Sequence, residues 1–528
     1  MIIPYFLLIQ CVYCVIWPPL TIDNEVALRS QRDISYNVSV DQLVDVGVRL
    51  STVLFERDTY TQPYLNQVDN LLNASVGNIL IDAYWDEEGF NWQLCPAPFS
   101  ANVTPIADDS TILQLEWDNK RYACDTRLDL SSVFTRIDEH IRASARSVSL
   151  NLITIYMILH SIGTRNSTPV HQPGTLSRPL VRSIDQAQIL TPASLRVAQL
   201  SNSTYQGLEF DPDGYPILGE LLQSRGIRVI PIILENNLYG DTSYDLERDS
   251  NIYFIQNSTI NVTQTSTADT ESTDFTTNMT DWTIADSQTL LSRSFRLIME
   301  TEEDPFSLES YINHISRGYS PFLNRKYNES EIRQFAANRL WSWKNSYIPE
   351  ASIPLLGDPD DSNSANETLQ CASFSNLSWF ISSCDQQRQV ACRSSSDWLQ
   401  WTITSTLSNY YGATDVCPAG TFFDVPRTPL DSLTLQSKVP IDSNVWIDLN
   451  TLSSGGCWIS GGAEAQCPYH RVTLVSLYVE ILTPSSVVSI VLIATVILLH
   501  FVRIPIQKNR KYWRKLQENI KDSDGIPS

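Results

Sequence analysis

Apolar, β-branched runs punctuate the first half of the chain at Val46–Leu50, Asn78–Trp85, Leu150–Ile158 and Arg228–Leu234. Such runs predict strands buried on both faces, the condition of parallel sheets covered by helices. Helix-like stretches lie between them. Tyr215–Ser224 leads into Gly226 and then into a strand, the helix–glycine–strand order of parallel α/β units. Further helices are predicted at Val38–Asp45, Ser287–Glu302, Phe306–Ser316 and Glu329–Trp341. The pattern predicts an α/β domain over residues 23–350, either a (β/α) barrel or an open doubly wound sheet. Four strands do not choose between them. Asn257–Asp281, rich in Thr and Ser and without an apolar period, predicts a loop inserted in this domain.

The pattern changes after residue 350. Ala351–Gln370 is polar and acidic and predicts a linker, and residues 371–475 then read as a compact β-rich module. Pro484–Val502 is a nearly unbroken apolar run. At about 1.5 Å per residue it is long enough to cross the ~30 Å hydrocarbon core of a bilayer. Arg503, Lys508, Arg510, Lys511, Arg514 and Lys515 follow it closely, which predicts a cytosolic tail over residues 503–528. Residues 1–20 are apolar and end in a proline pair, the shape of a signal peptide, with a retained anchor as the alternative. Together these segments predict a single-pass type I membrane protein, its body in the secretory lumen or outside the cell.

Composition sharpens this picture. A net charge of −22 argues against nucleic-acid binding by the folded part, because phosphate contacts need basic surface. Cys11 and Cys14 leave with the leader. Cys95, Cys124, Cys371, Cys384, Cys392, Cys417, Cys457 and Cys467 remain, an even set that predicts disulfides in an oxidising compartment. Cys457 is expected to pair with Cys467 across a glycine-rich turn, and Cys392 with Cys384 or Cys371. Without a Cys-x2-Cys pair at zinc spacing, no metal or other cofactor is expected. Asn37, Asn73, Asn102, Asn166, Asn202, Asn257, Asn261, Asn278, Asn328, Asn366 and Asn376 each begin an Asn-x-Ser/Thr acceptor for N-glycans, which predicts surface positions.

The candidate chemistry is sparse. In an α/β barrel it sits at the C-terminal ends of strands. Asp82, His160 and Glu235 stand there and could form a carboxylate/imidazole mouth able to hold a metal or exchange protons. Helix capping and ordinary hydrogen bonding are the competing explanation for each. Arg29, Gln31, Arg32 and Asp33 form a polar cluster just before the helix expected at Val38–Asp45, open to a ligand-contact role or to capping and ion pairing. No Gly-x-Ser-x-Gly, P-loop, Gly-x-Gly-x-x-Gly or His-Glu-x-x-His motif is present.

RSQRD (Arg29–Asp33), the VSVDQLVDVGVRL that follows, and WSW (Trp341–Trp343) resemble one fungal family, as do VPRTPLD (Val425–Asp431), VWIDLN (Val445–Asn450), CWISGG (Cys457–Gly462), CPY (Cys467–Tyr469), the tail RIPIQKNRKYWRK and the terminus GIPS. The chain is similar to the maintenance of telomere capping protein 6 family of yeasts from about residue 25 to its end. The resemblance implies a single-pass glycoprotein, an indirect part in telomere capping, and a TIM barrel akin to phospholipase-C-like phosphodiesterases. Those enzymes are similar here at Gln42-Leu43 with Gly47-Val48-Arg49, and at a strand ending in an acidic residue, Ile79–Asp82. They carry a catalytic His before the first helix, whereas this chain reads Ser30-Gln31-Arg32-Asp33 and has no His before His140. The resemblance therefore implies a silent barrel, with Arg29 or Arg32 left to bind an anionic group. Trp379, Cys384 and Cys392 have the spacing that closes C-type lectin-like domains. The expected function is binding or scaffolding for an unidentified lumenal or surface ligand. A lumenal phosphodiesterase or other hydrolase acting on lipid or glycan headgroups is the first alternative, and a carbohydrate-recognition receptor the second.

Overall fold

The structure is a computed structural model. It describes residues 20–105, 111–144, 150–163, 175–200, 214–240, 242–255, 262–266, 288–343 apart from 289 and 292, 370–441, 443–453, 457–467, 488–498 and 506–523. The expected leader, apart from Leu20, and the expected linker, apart from Gln370, lie outside the described residues, as do Asn166, Asn202, Asn257, Asn261, Asn278 and Asn366.

The chain opens on a helix, α1 (Ile22–Ile34), capped by the Thr21 hydroxyl, which accepts from the Asn24 amide. It is built from the RSQRD segment itself. The polar cluster read as preceding a helix is therefore the last turns of one. Val38–Asp45, expected to be helical, is a short 3-10 turn at Val40–Gln42 flanked by extended chain. Eight parallel strands follow: β1 (Gly47–Arg49), β2 (Asn78–Asp86), β3 (Ile153–Ile162), β4 (Val229–Asn237), β5 (Phe254–Ile255), β6 (Val262–Ser266), β7 (Ser294–Met299) and β8 (Ser320–Leu323). The first four fall on the four runs that the pattern predicts.

The strands lie side by side in the order β5-β4-β3-β2-β1-β8-β7-β6, and every adjacent pair is parallel. This is the cyclic order of an eight-stranded barrel cut once. Among the described residues no ladder joins β5 to β6. The two faces of the sheet alternate by residue. Leu80, Tyr156, Ile158, Ile230, Leu297 and Phe322 fill the inside. Ile79, Ile81, Ile155, Met157, Val229 and Ile298 face outward into a larger core. At Gly47 a Cβ would lie 2.5 Å from the Phe322 ring, so this strand position admits no side chain while Phe322 plugs the interior.

Ser287–Glu302, expected to be helical, contains β7 instead. Its inward residues are Phe295, Leu297 and Met299. Its outward Arg296 is buried and donates to the carbonyls of Gly318, Leu290 and Arg293. Burial pushes that guanidinium down to about 10. Helix α2 (Leu130–Ser144) covers the outer face with Val133, Phe134, Ile137 and Ile141, a 3.6-residue stripe. Helices α3 (Leu308–Ser316) and α4 (Glu329–Ala337) form within their predicted bounds, α4 behind a capping box of Asn328 and Glu331.

The C-terminal module is a mixed sheet of β9 (Cys371–Ser375), β10 (Ser378–Ser382), β11 (Gln389–Ser394), β12 (Trp401–Ile403), β13 (Thr421–Phe423) and β14 (Val445–Asn450). Its order is β10-β9-β14-β11-β12, with β13 on β11. Asn376 and Leu377, both at positive φ, turn the β9–β10 hairpin. The disulfides are Cys95–Cys124, Cys371–Cys384 and Cys392–Cys417, and Cys457 and Cys467 are also disulfide-bonded. Neither expected partner of Cys392 is correct. Cys371 and Cys384 are brought together by the β9–β10 pairing, which leaves Cys392 to the loop before β13. The same pairing puts the two cysteines of the lectin-like spacing into different bridges.

Barrel and module share one hydrophobic core. Trp341 and Trp343 meet Trp379 edge-on at 5.6 and 5.4 Å, and Trp343 meets Trp458 at 4.7 Å. Trp343 Nε1 donates to Ser30 Oγ at 2.8 Å. Helix α5 (Pro429–Gln436) of the module places Leu430 against Gly318, where φ is +80° and an added Cβ would come 2.9 Å from Leu430 Cγ. Gly318→Ala is expected to lower unfolding stability by about 1–3 kcal/mol through backbone strain and overpacking. Urea denaturation measures this, and an unchanged midpoint would remove the contact from the account.

Cys467–Ser528 forms a second compact unit. In it residues 488–498 and α6 (Ile506–Ser523) are helical. No helix among the described residues is long and apolar enough to cross a membrane. Of the run 484–502, the structure describes only that central part.

Candidate functional site

At the C-terminal ends of β1, β2 and β3, one carboxylate gathers every donor around it. Asp82 accepts from Arg49 Nε at 2.8 Å and Arg49 Nη2 at 2.6 Å, a bidentate pair. Ser51 Oγ donates to the same carboxylate at 2.5 Å, and His160 Nε2 lies 2.9 Å from its Oδ1. The sheet register explains the meeting. Arg49 pairs with Leu80, two residues before Asp82, and His160 pairs with Tyr84, two residues after it. The three side chains point to the same face from adjacent strands. Tyr84 stacks on the His160 ring at 4.8 Å.

The electrostatics follow. Burial alone would raise the Asp82 carboxyl, but the hydrogen bonds of Arg49 and His160 and the Arg49 charge outweigh it and hold it well below the usual carboxylate range. Burial, with Asp82 nearby, drives the Tyr84 hydroxyl far above its ordinary value. Asp82 is thus fixed as an anion, and Arg49 spends Nε and Nη2 on it. The carboxylate is not available to move a proton.

Glu235 does not join the cluster. It pairs in register with Ile158, one strand beyond, and accepts from Asn237 Nδ2 at 3.3 Å. It reaches Arg49 only through space. Among the described residues no group of three His, Cys, Asp or Glu side chains could hold a metal ion. Of the expected mouth, the structure therefore brings together Asp82 and His160. Arg49 and Ser51 complete it. Sequence reasoning misses both, although an Arg closing an apolar strand beside a strand that ends in Asp is a readable signal for a buried pair.

The α1 cluster lies at the other end of the barrel. Gln31 Oε1 accepts from the Trp341 amide at 3.1 Å and from Ser342 Oγ at 3.0 Å, a structural role at the junction with the module. Arg32 is held by Asp33 at 2.7 Å and donates to the Leu150 carbonyl. Arg29, Gln31 and Arg32 line a cavity near the N-terminal ends of the strands. The structure separates this group from Asp82 and His160.

Comparison with known proteins places the chain. Residues 18–345 match the family model described as the MTC6 partial TIM-barrel domain. The chain is 88% identical over 528 residues, the full length of both, to "Maintenance of telomere capping protein 6" of Komagataella phaffii. It is 29% identical to the protein of that name in Candida tropicalis, over 97% of this chain and 96% of the other. Among solved structures it is similar to a calcium-dependent phosphoinositol-specific phospholipase C from Pseudomonas sp., at 12% identity and a TM-score of 0.34, over 58% of this chain and 96% of that one.

Proposed function

The chain belongs to the maintenance of telomere capping protein 6 family, and from that premise we propose that it is a non-enzymatic binding or scaffolding glycoprotein of the secretory pathway, held by one C-terminal membrane span. The observation that carries the non-enzymatic part is the saturation of Asp82 by Arg49, Ser51 and His160. Acid–base catalysis needs a group poised to give or take a proton near the working pH. The carboxylate at the barrel mouth is instead locked in one state.

The topology has its own support. The disulfides fit an oxidising compartment. Each sequon asparagine whose side chain is described, Asn37, Asn73, Asn328 and Asn376, is exposed. The helical residues 488–498 are apolar apart from Ser489 and Thr495, and all are exposed, as lipid-facing residues would be. A link to telomere capping is then indirect, because a lumenal body is separated from chromosome ends by a membrane.

The test is turnover by the purified full-length protein in mild detergent, with phosphatidylinositol and bis(p-nitrophenyl) phosphate as substrates. No hydrolysis above that of a His160→Ala variant is expected. Hydrolysis that His160→Ala abolishes would establish the hydrolase alternative. The topology is read separately: endoglycosidase should increase gel mobility, and an unchanged mobility would remove the lumenal placement.

A further inference from the structure

We infer that the cavity at the N-terminal end of the barrel is a second ligand site, shaped for a small amphiphile that carries one anionic head. It stands apart from the Asp82 cluster and does not depend on that cluster's being silent. The cavity holds about 410 Å³. Small-molecule sites occupy on the order of 300–1,000 Å³.

Its wall has two characters. One side is the lower end of the barrel interior, with Tyr156, Leu218, Leu222 and Phe295 all buried. The other side carries Arg29, Arg32, Arg339 and Arg427 against only two carboxylates, Glu25 and Asp45. With Asp33 and Asp424 just behind the wall, the four guanidiniums meet four carboxylates, so the wall offers charged hydrogen-bond donors without net charge. Asp33 and Asp424, which are not in the wall, hold Arg32 at 2.7 Å and Arg427 at 2.9 Å. Arg32 spends Nε and Nη2 on Asp33 and Nη1 on the Leu150 carbonyl, so it shapes the wall, while Asp424 holds Arg427 in place before any ligand arrives, which lowers the ordering cost of binding.

Arg339 is the independent observation. Its side chain is 9% exposed and pairs with Asp45 through Nη1 at 2.7 Å. Its Nε is buried with no hydrogen-bond partner among the described residues. A buried charged donor left unpaired is costly, and an acceptor in the cavity would satisfy it. His140 stands in the same wall, and burial together with Arg228 holds it down to about 4, so it meets a ligand neutral. An apolar floor below fixed guanidiniums suits a phosphate or carboxylate on a short hydrocarbon body. A fully hydrated ion would waste the floor, and a neutral alkane would leave Arg339 Nε unmet. The head belongs to an amphiphile, and inorganic phosphate is the control that separates it from a free ion.

Isothermal titration of the full-length protein with hexyl phosphate, inorganic phosphate and hexanol tests the site. Hexyl phosphate should saturate at one per chain, with the other two at least about tenfold weaker. Arg29→Gln combined with Arg427→Gln should weaken hexyl phosphate by about tenfold or more. Leu152→Trp, which fills the apolar side and touches no arginine, should do the same, and it decides the matter if the double variant does not fold. The inference falls if hexyl phosphate does not saturate, if inorganic phosphate binds as tightly, or if folded variants bind like the parent.

Discussion

Replacing Arg393 by Met is expected to destabilise the fold by about 5 kcal/mol, the upper end for a broken buried ion pair. Arg393 in β11 is 5% exposed and lies 2.9 Å from Asp424, itself 4% exposed. Its Nη2 pairs with Asp431, which is fully buried. The guanidinium also lies over the Trp401 ring, 4.5 Å from its centre. Methionine keeps much of the volume and removes the charge, leaving two carboxylates in the core. The Arg427 backbone amide and Trp401 Nε1 still donate to Asp431, at 2.8 and 2.7 Å, but they supply less than the lost cation.

The pH dependence gives a second reading of the same variant. Burial pushes the Asp431 carboxyl up, and Arg393 opposes this. A carboxyl raised above its unfolded value binds protons more tightly when folded. Its contribution is therefore greatest below the unfolded value and is lost as pH rises through the folded one. Removing Arg393 raises it further, so the deficit should shrink from pH 7 to pH 5. Urea unfolding at both values measures this. A loss below about 1 kcal/mol, or a deficit that grows in acid, would show that the triad is not a core element.

Asp82→Ala should cost about 3 kcal/mol, toward the lower end for a broken buried pair. The carboxylate is 1% exposed, but Arg49 is 23% exposed and partly recovers water when its partner goes. The sign with pH is opposite to that of Asp431. Asp82 is held below its ordinary value of 3.8, so its stabilisation is complete above that value and drains away as pH falls through the folded one. The gap between parent and variant should narrow below about pH 4. A gap constant from pH 7 to pH 3 would mean that packing, not charge, holds the mouth together.

The legible parts of the fold are those whose burial is uniform. β1 to β4 announce themselves because both faces of each are apolar. β5, at two residues, and β8, at four with Pro321, are too short to carry a period. β7 deceives for a physical reason. Arg296 lies buried among apolar neighbours because it is satisfied by carbonyls, and one charge in an apolar run imitates the polar face of a helix. The α1 helix hides behind its own charges: its buried described residues are Val26, Ala27, Ser30, Gln31 and Ile34, two of them polar, with Leu28 partly buried against the core. At the site, Asp82 and His160 are visible as polar residues ending apolar strands. Arg49 is visible only as an Arg closing an apolar strand; that it meets Asp82 depends on which strand lies beside β2, which sequence spacing does not state. Of the segments that carry the family resemblance, WSW and CWISGG meet at the junction of barrel and module through Trp343 and Trp458, whereas VSVDQLVDVGVRL supplies Arg49 to the mouth.

Among the described residues no ladder joins β5 to β6, and such a cut has a cost beyond the fold itself. A closed barrel has no free edge, whereas a cut one offers two rows of unpaired peptide groups to any extended chain that drifts past. β5 is two residues long, a poor template. Asn257 and Asn261 fall in the short segment between the two edges. If either carries a glycan, that glycan acts as a steric bumper, and the protein stripped of glycans is expected to self-associate where the glycosylated protein stays dispersed.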